Sequence, residues 1–98
     1  MTINKQKNGE SLVIRLQGRL DTLTAPALED EVKHSLNGVT ELIFDFENLE
    51  YVSSAGLRIL FSAYKIMRNQ GTMKIEKAND IIQEVFDVTG LTDLFHIY

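Results

Sequence analysis

The apolar positions of this chain change period several times, and each change marks an element. Ile3 to Lys7 reads as a short edge strand that turns at Asn8-Gly9, a strong hairpin signal. From Ser11 to Gln17 the pattern alternates, with Leu12, Ile14 and Leu16 on one face and Val13, Arg15 and Gln17 on the other, which predicts a strand. Gly18-Arg19-Leu20-Asp21 then reads as a loop, with Thr22 or Thr24 as N-cap ahead of Pro26 in a first helical turn. Ala25, Leu28, Val32 and Leu36 recur at helical spacing, Glu29, Asp30, Lys33 and His34 face water, and Asn37-Gly38 ends the helix.

Glu41 to Phe46 is the most apolar strand and is predicted to be central in its sheet. A second helix is predicted from about Ser54 to Asn69, stopping at Gly71, and Met73 to Lys77 forms a third long strand. Asn79-Asp80 caps a third helix, lined on one face by Ile82, Val85, Phe86 and Thr89 and closed by Gly90. The tail from Leu91 to Tyr98 is too apolar to hang loose and is expected to pack back. The order β-β-α-β-α-β-α, without repeats or linkers, predicts one α/β domain over residues 1–98, a small mixed sheet covered by helices.

The second helix is unusually apolar. At 100° per residue, Ile66, Ile59, Ala63, Met67, Leu60, Tyr64, Leu57 and Phe61 span roughly 220°, against the ~100° stripe that a half-buried helix needs. Only Gly56 and Arg68 interrupt that arc, and Arg58, Lys65, Ser62 and Asn69 carry the remaining face. Two readings follow. Either the third helix and the tail cover the edges of the arc, or those edges form a protein-binding surface. The same apolar helix leaves weak dimerisation open, so the expected state is a monomer or a weak dimer.

Composition narrows the function classes. Ninety-eight residues, 44% of them hydrophobic, suffice for one core without staples. No cysteine is present, which removes disulfides, thiolate metal sites and cysteine catalysis. The net charge of −4 and scattered basic residues argue against nucleic acid, whose binding needs a concentrated positive footprint. No apolar run resembles a signal peptide or reaches membrane-spanning length, so no membrane insertion is expected and the cytoplasm is the default location.

The densest chemical information lies in Tyr51-Val52-Ser53-Ser54-Ala55-Gly56-Leu57-Arg58, where an apolar strand gives way to a helix. Ser53 and Ser54 fall at or beside the helix N-terminus, where backbone N–H groups are free and the dipole favours negative charge. Such a place suits a capping hydroxyl or a phosphorylated one. Asp21, from the sequence alone, reads as a turn or helix-start residue. Asp45, near the end of a buried strand, is expected to bond loop backbone.

The chain resembles the STAS domain family, specifically the bacterial anti-sigma factor antagonists. The resemblance rests on Gly18-Arg19-Leu20-Asp21 with Thr24-Ala25 and Leu28-Glu29, on Leu42 to Phe46, on Tyr51 to Arg58, and on Thr89-Gly90-Leu91 with Leu94-Phe95, in that order and spacing. It implies a mixed sheet with helices packed on one side. It also implies a protein that binds an anti-sigma factor, usually a serine kinase of the histidine-kinase-like ATPase fold, and so releases a sigma factor. Phosphorylation of a serine at the start of the second helix would abolish binding, and a PP2C-type phosphatase would reverse the mark. The family motif commonly reads Asp-Ser-Ser-Gly-Leu, with the first serine as acceptor. Aligned on Gly56-Leu57, the acceptor falls on Ser54, with Ser53 in the place of the aspartate and as the alternative acceptor. The implied partner surface comprises Asp21, Ser53, Ser54, Ala55, Gly56 and Arg58.

Other functions remain to be weighed. As an enzyme the chain would need a partner for Ser54, yet no Gly-x-Ser-x-Gly elbow is present, and the two histidines, His34 and His96, lack an orienting carboxylate. No metal-ligand cluster or phosphate-cradling glycine loop occurs, so no catalytic residue, metal or cofactor is expected. A stand-alone STAS subunit of another assembly, such as an ABC-type lipid-transport system, and a constitutive binder without phosphorylation are the alternatives.

Overall fold

A computed structural model of the chain describes residues 1–97, and Tyr98, the last residue of the expected tail, lies outside them. The strands are β1 (Thr2–Asn8), β2 (Ser11–Leu20), β3 (Glu41–Val52), β4 (Thr72–Glu76) and β5 (His96–Ile97), and the helices are α1 (Ala25–Ser35), α2 (Ser54–Met67) and α3 (Asp80–Thr89). The sheet order is β1-β2-β3-β4-β5. β1 and β2 form an antiparallel hairpin closed by the Asn8↔Ser11 pair, so the turn sits on Gly9 and Glu10, one residue later than expected. The pairs β2–β3, β3–β4 and β4–β5 are parallel.

This order explains the layering. A parallel β-α-β crossover is almost always right-handed. Three consecutive crossovers that all step in the same direction therefore lay their helices on the same face. Leu12, Ile14 and Leu16 of β2, Leu42, Phe44 and Phe46 of β3, and Met73 and Ile75 of β4 are buried there with Leu28 and Val32 of α1, Leu60 and Ala63 of α2, and Ile82 and Phe86 of α3. The opposite face stays open and polar. On it Arg15 Nε lies 3.3 Å from Asp45 Oδ2 and Nη1 donates to Gln6 Oε1, while Ser11 donates to Glu41.

Three expectations change. β2 runs on through Gly18, Arg19 and Leu20, which pair with β3 and do not form a loop. Gly18 reads as a loop residue because its φ is +103°, which the strand accommodates where residue 18 meets the chain start. β3 is twice the expected length because it carries two irregularities: Arg15 and Gln17 face Asp45 and Asn48, and Gly18 and Arg19 face Leu49 and Tyr51. Each inserts one extra residue, so the buried positions step from Phe46 to Leu49 to Val52 at intervals of three and the period-2 signal vanishes. The tail does pack back, and it also adds a fifth strand. Phe95 is buried edge-on against Phe86, with ring centroids 5.8 Å apart, and tilted against Tyr64 at 5.9 Å.

The wide apolar arc of α2 is covered only in its middle. Ile59, Leu60, Ala63 and Met67 are buried, but Phe61 at one edge is 38% exposed and Ile66 at the other 36%. The third helix and the tail therefore do not cover the whole arc.

Candidate functional site

The C-terminal ends of β2 and β3 place two functional segments side by side. Leu20 pairs with Val52, the last residue of β3, and Ser53 N–H donates to Leu20 C=O at 2.9 Å. The loop from Asp21 to Thr24 leaves β2 at this point, and the Ser53-Ser54 junction leaves β3.

Ser53 keeps an extended backbone and is the N-cap of α2: its Oγ accepts from Gly56 N–H at 3.4 Å, and its carbonyl takes the first helical bond from Leu57 N–H at 2.9 Å. Of the two hydroxyls at this junction, the capping one is therefore that of Ser53. Ser54 is the first residue of the helix proper and is exposed. Its hydroxyl makes no hydrogen bond among the described residues. The first turn of α2 holds no acidic side chain, so nothing there already satisfies the helix dipole.

The neighbours of the serines divide by exposure. Ala55 is half-buried against the core and Gly56 is buried, so Gly56 contributes by close packing and presents no side chain. Arg58 is exposed and takes part in no ion pair among the described residues.

Asp21 organises its own loop. Its Oδ1 accepts from Leu23 N–H at 3.0 Å and from Thr24 N–H at 3.2 Å, with Arg19 Nε 3.9 Å from Oδ2. Desolvation acts to raise its pKa, but the backbone N–H groups of Thr24 and Leu23, the Thr24 hydroxyl and the charge of Arg19 together hold the carboxyl below its ordinary value. Thr24 occupies the N-cap position of α1 without capping it. Its hydroxyl instead accepts from Asp21 N–H and donates to Arg19 C=O, both at 2.8 Å. The turn so fixed projects Leu23, which is 91% exposed, into solvent.

Leu23 carries no signal in the sequence, because an isolated leucine between threonines belongs to no periodic pattern. Arg19 was likewise hidden. Its guanidinium stacks over the Tyr51 ring at 4.8 Å, a contact set by the Arg19↔Tyr51 pairing across the irregular strands. Asp45 lies within β3 and not near its end, so it bonds strand backbone and no loop: it accepts from Glu47 N–H at 3.0 Å and pairs with Arg15. His34 lies on α1 with its Nδ1 2.7 Å from Asp30 C=O, and His96 lies in β5. Among the described residues no helix is long and apolar enough to cross a membrane, and no group of three metal-ligating side chains occurs.

Comparison with known proteins agrees with this fold. The family model of the STAS domain matches residues 2–98. The anti-sigma-B factor antagonist of Bacillus subtilis (strain 168) is 24% identical over 98 residues, covering 99% of this chain and 90% of that protein. Among solved structures, an anti-sigma factor antagonist from Mycobacterium paratuberculosis superposes with a TM-score of 0.90 at 24% identity, over 99% of this chain and 84% of that one. The anti-sigma factor antagonist SpoIIAA in its unphosphorylated form superposes with a TM-score of 0.87 at 21% identity, over 99% and 88% of the two chains. The phosphorylated form of the Bacillus cell fate determinant SpoIIAA gives 0.78 at 21% identity, over 99% and 91%. With the family model matched from the second residue to the end, the chain belongs to the STAS domain family.

Proposed function

We propose that this protein is an anti-sigma factor antagonist switched by phosphorylation of Ser54. It binds an anti-sigma factor of the serine-kinase type through the surface around Asp21, Leu23, Ser54 and Arg58, and the sigma factor is thereby released. The kinase transfers the γ-phosphoryl group of ATP to Ser54 Oγ, the hydroxyl proton passes to a base of the kinase, and ADP leaves. A PP2C-type phosphatase returns the serine by hydrolysis. The protein itself performs no catalysis.

One observation carries the choice of Ser54 over Ser53. The Ser53 hydroxyl is already engaged as the cap of α2, whereas that of Ser54 is exposed and makes no hydrogen bond among the described residues. The named relatives, which are anti-sigma factor antagonists, support the wider role. A phosphoserine carries about −1.5 to −2 charges, and at a helix N-terminus that charge is tolerated by the fold. Binding is lost instead at the interface, where burying an unpaired dianion costs several kcal/mol.

The test is to incubate the protein with its anti-sigma kinase and ATP and to map phosphate by mass spectrometry. Phosphate on Ser54, absent from Ser54→Ala, is expected. Phosphate on Ser53 moves the site, and none at all, with an active kinase, points to a constitutive binder or a transport-complex subunit. Amide NMR spectra with and without phosphate should superimpose away from the site, and widespread shifts would refute a surface switch.

A further inference from the structure

We infer that Arg58 captures the phosphate of phosphorylated Ser54, so that modification withdraws a cation from the partner surface while adding a dianion to it. The inference rests on the reading of Ser54 as phosphoacceptor and states what its phosphate does next. Ser54 and Arg58 are both exposed on α2 and four residues apart. Such positions stand one above the other with Cβ atoms about 5–6 Å apart, and an anion N-terminal to a cation is the favourable order. Helical side chains lean toward the N-terminus, which tilts Arg58 toward Ser54.

The guanidinium is free to respond. Arg58 has no ion-pair partner among the described residues. Arg19, at the end of β2, is engaged already: it lies over Tyr51 and beside Asp21. No acidic side chain in the first turn of α2 competes for Arg58. A planar guanidinium also meets two phosphate oxygens at once, which an ammonium does not. A phosphate on Ser53 would stand five residues from Arg58, off this face, so the device is specific to Ser54.

The experiment installs phosphoserine at position 54 of the full chain during translation and titrates it by phosphorus NMR, in the wild type and in Arg58→Gln. The second phosphate pKa, near 6 in a free phosphoserine, is expected to lie about 0.3 unit or more lower with Arg58 than with glutamine. The Arg58 Nε–H resonance should move along the same titration curve, and Arg19→Gln should leave the phosphate pKa in place. Equal pKa values in wild type and Arg58→Gln, or a shift produced by Arg19→Gln instead, would overturn the inference. Because no kinase is used, this result is separate from whether a kinase modifies Ser54.

Discussion

Gly56 lies so close to Leu20 that a methyl group on its Cα would sit 2.6 Å from Leu20 Cγ and 3.1 Å from Leu20 C=O. The first turn of α2 therefore rests directly on the end of β2. Gly56→Ala gains up to about 1 kcal/mol of helix propensity but must displace a fully buried leucine and its backbone, at about 1–3 kcal/mol. The net expectation is a loss, of up to about 2 kcal/mol at full propensity gain, in urea denaturation. An unchanged or higher midpoint would show that the helix start slides freely.

Asn79 ties α3 to β3. Its Oδ1 caps the helix by accepting from Ile82 N–H at 2.8 Å, while its Nδ2 donates to Leu49 C=O at 3.2 Å and Glu50 C=O at 3.3 Å. Asn79→Ala should cost about 1–2 kcal/mol. Asn79→Asp is the sharper variant, because aspartate caps as well as asparagine yet points an anion at two carbonyls. It should also destabilise, and thermal melts that leave it equal to wild type would confine Asn79 to capping.

Acid should weaken the fold through two carboxyls. Asp21 titrates below its ordinary value of 3.8, as argued above. Glu31 titrates below 4.5, chiefly through its bond to Lys5, whose Nζ is 2.7 Å away. A carboxyl with a lowered folded pKa contributes stability that is complete above its unfolded value and is lost as pH falls through the folded one. Melting temperature should thus hold steady down to about pH 5 and fall below about pH 4. Asp21→Asn, which keeps the acceptor for both loop N–H groups, should show a shallower fall in scanning calorimetry. Coincident acid limbs would remove Asp21 from the account.

Leu23 should matter to the partner and not to the fold. At 91% exposure its truncation to alanine should change stability by less than about 0.5 kcal/mol. If it anchors the anti-sigma factor, Leu23→Ala should weaken binding roughly tenfold, a loss of about 1–2 kcal/mol by calorimetric titration. Undiminished affinity would leave the loop outside the interface.

The helices and the regular halves of the strands were legible in the sequence because burial there keeps a constant period. Leu12, Ile14 and Leu16 alternate, and Ile82 and Phe86 share one helical face, as the structure has them. Legibility failed where the period breaks. The extended ends of β2 and β3 were missed because Gly18 has positive φ and because Leu49 and Val52 follow Phe46 in steps of three. At the site, Ser53 and Ser54 were placed correctly at the helix start, but only coordinates separate the capping hydroxyl from the free one. Thr24 looked like a cap from its position before Ala25-Pro26, and it serves the Asp21 turn instead because Arg19 C=O lies within its reach.

The two extra residues in β3 act as a spacer in the sequence. Remove Glu47 and Glu50 and the buried residues Leu42, Phe44, Phe46, Leu49 and Val52 fall at every second place. Such a shortened chain would write a more regular strand, yet it would lack the Leu49-Glu50 kink that offers both carbonyls to Asn79. Strand regularity and the tie of Asn79 to β3 are therefore opposed in this segment, although Val52 would keep its place opposite Leu20. Deletions there, which sequence-pattern rules would rank as improvements, should be poorly tolerated, while point changes at the exposed Glu47 should pass unnoticed.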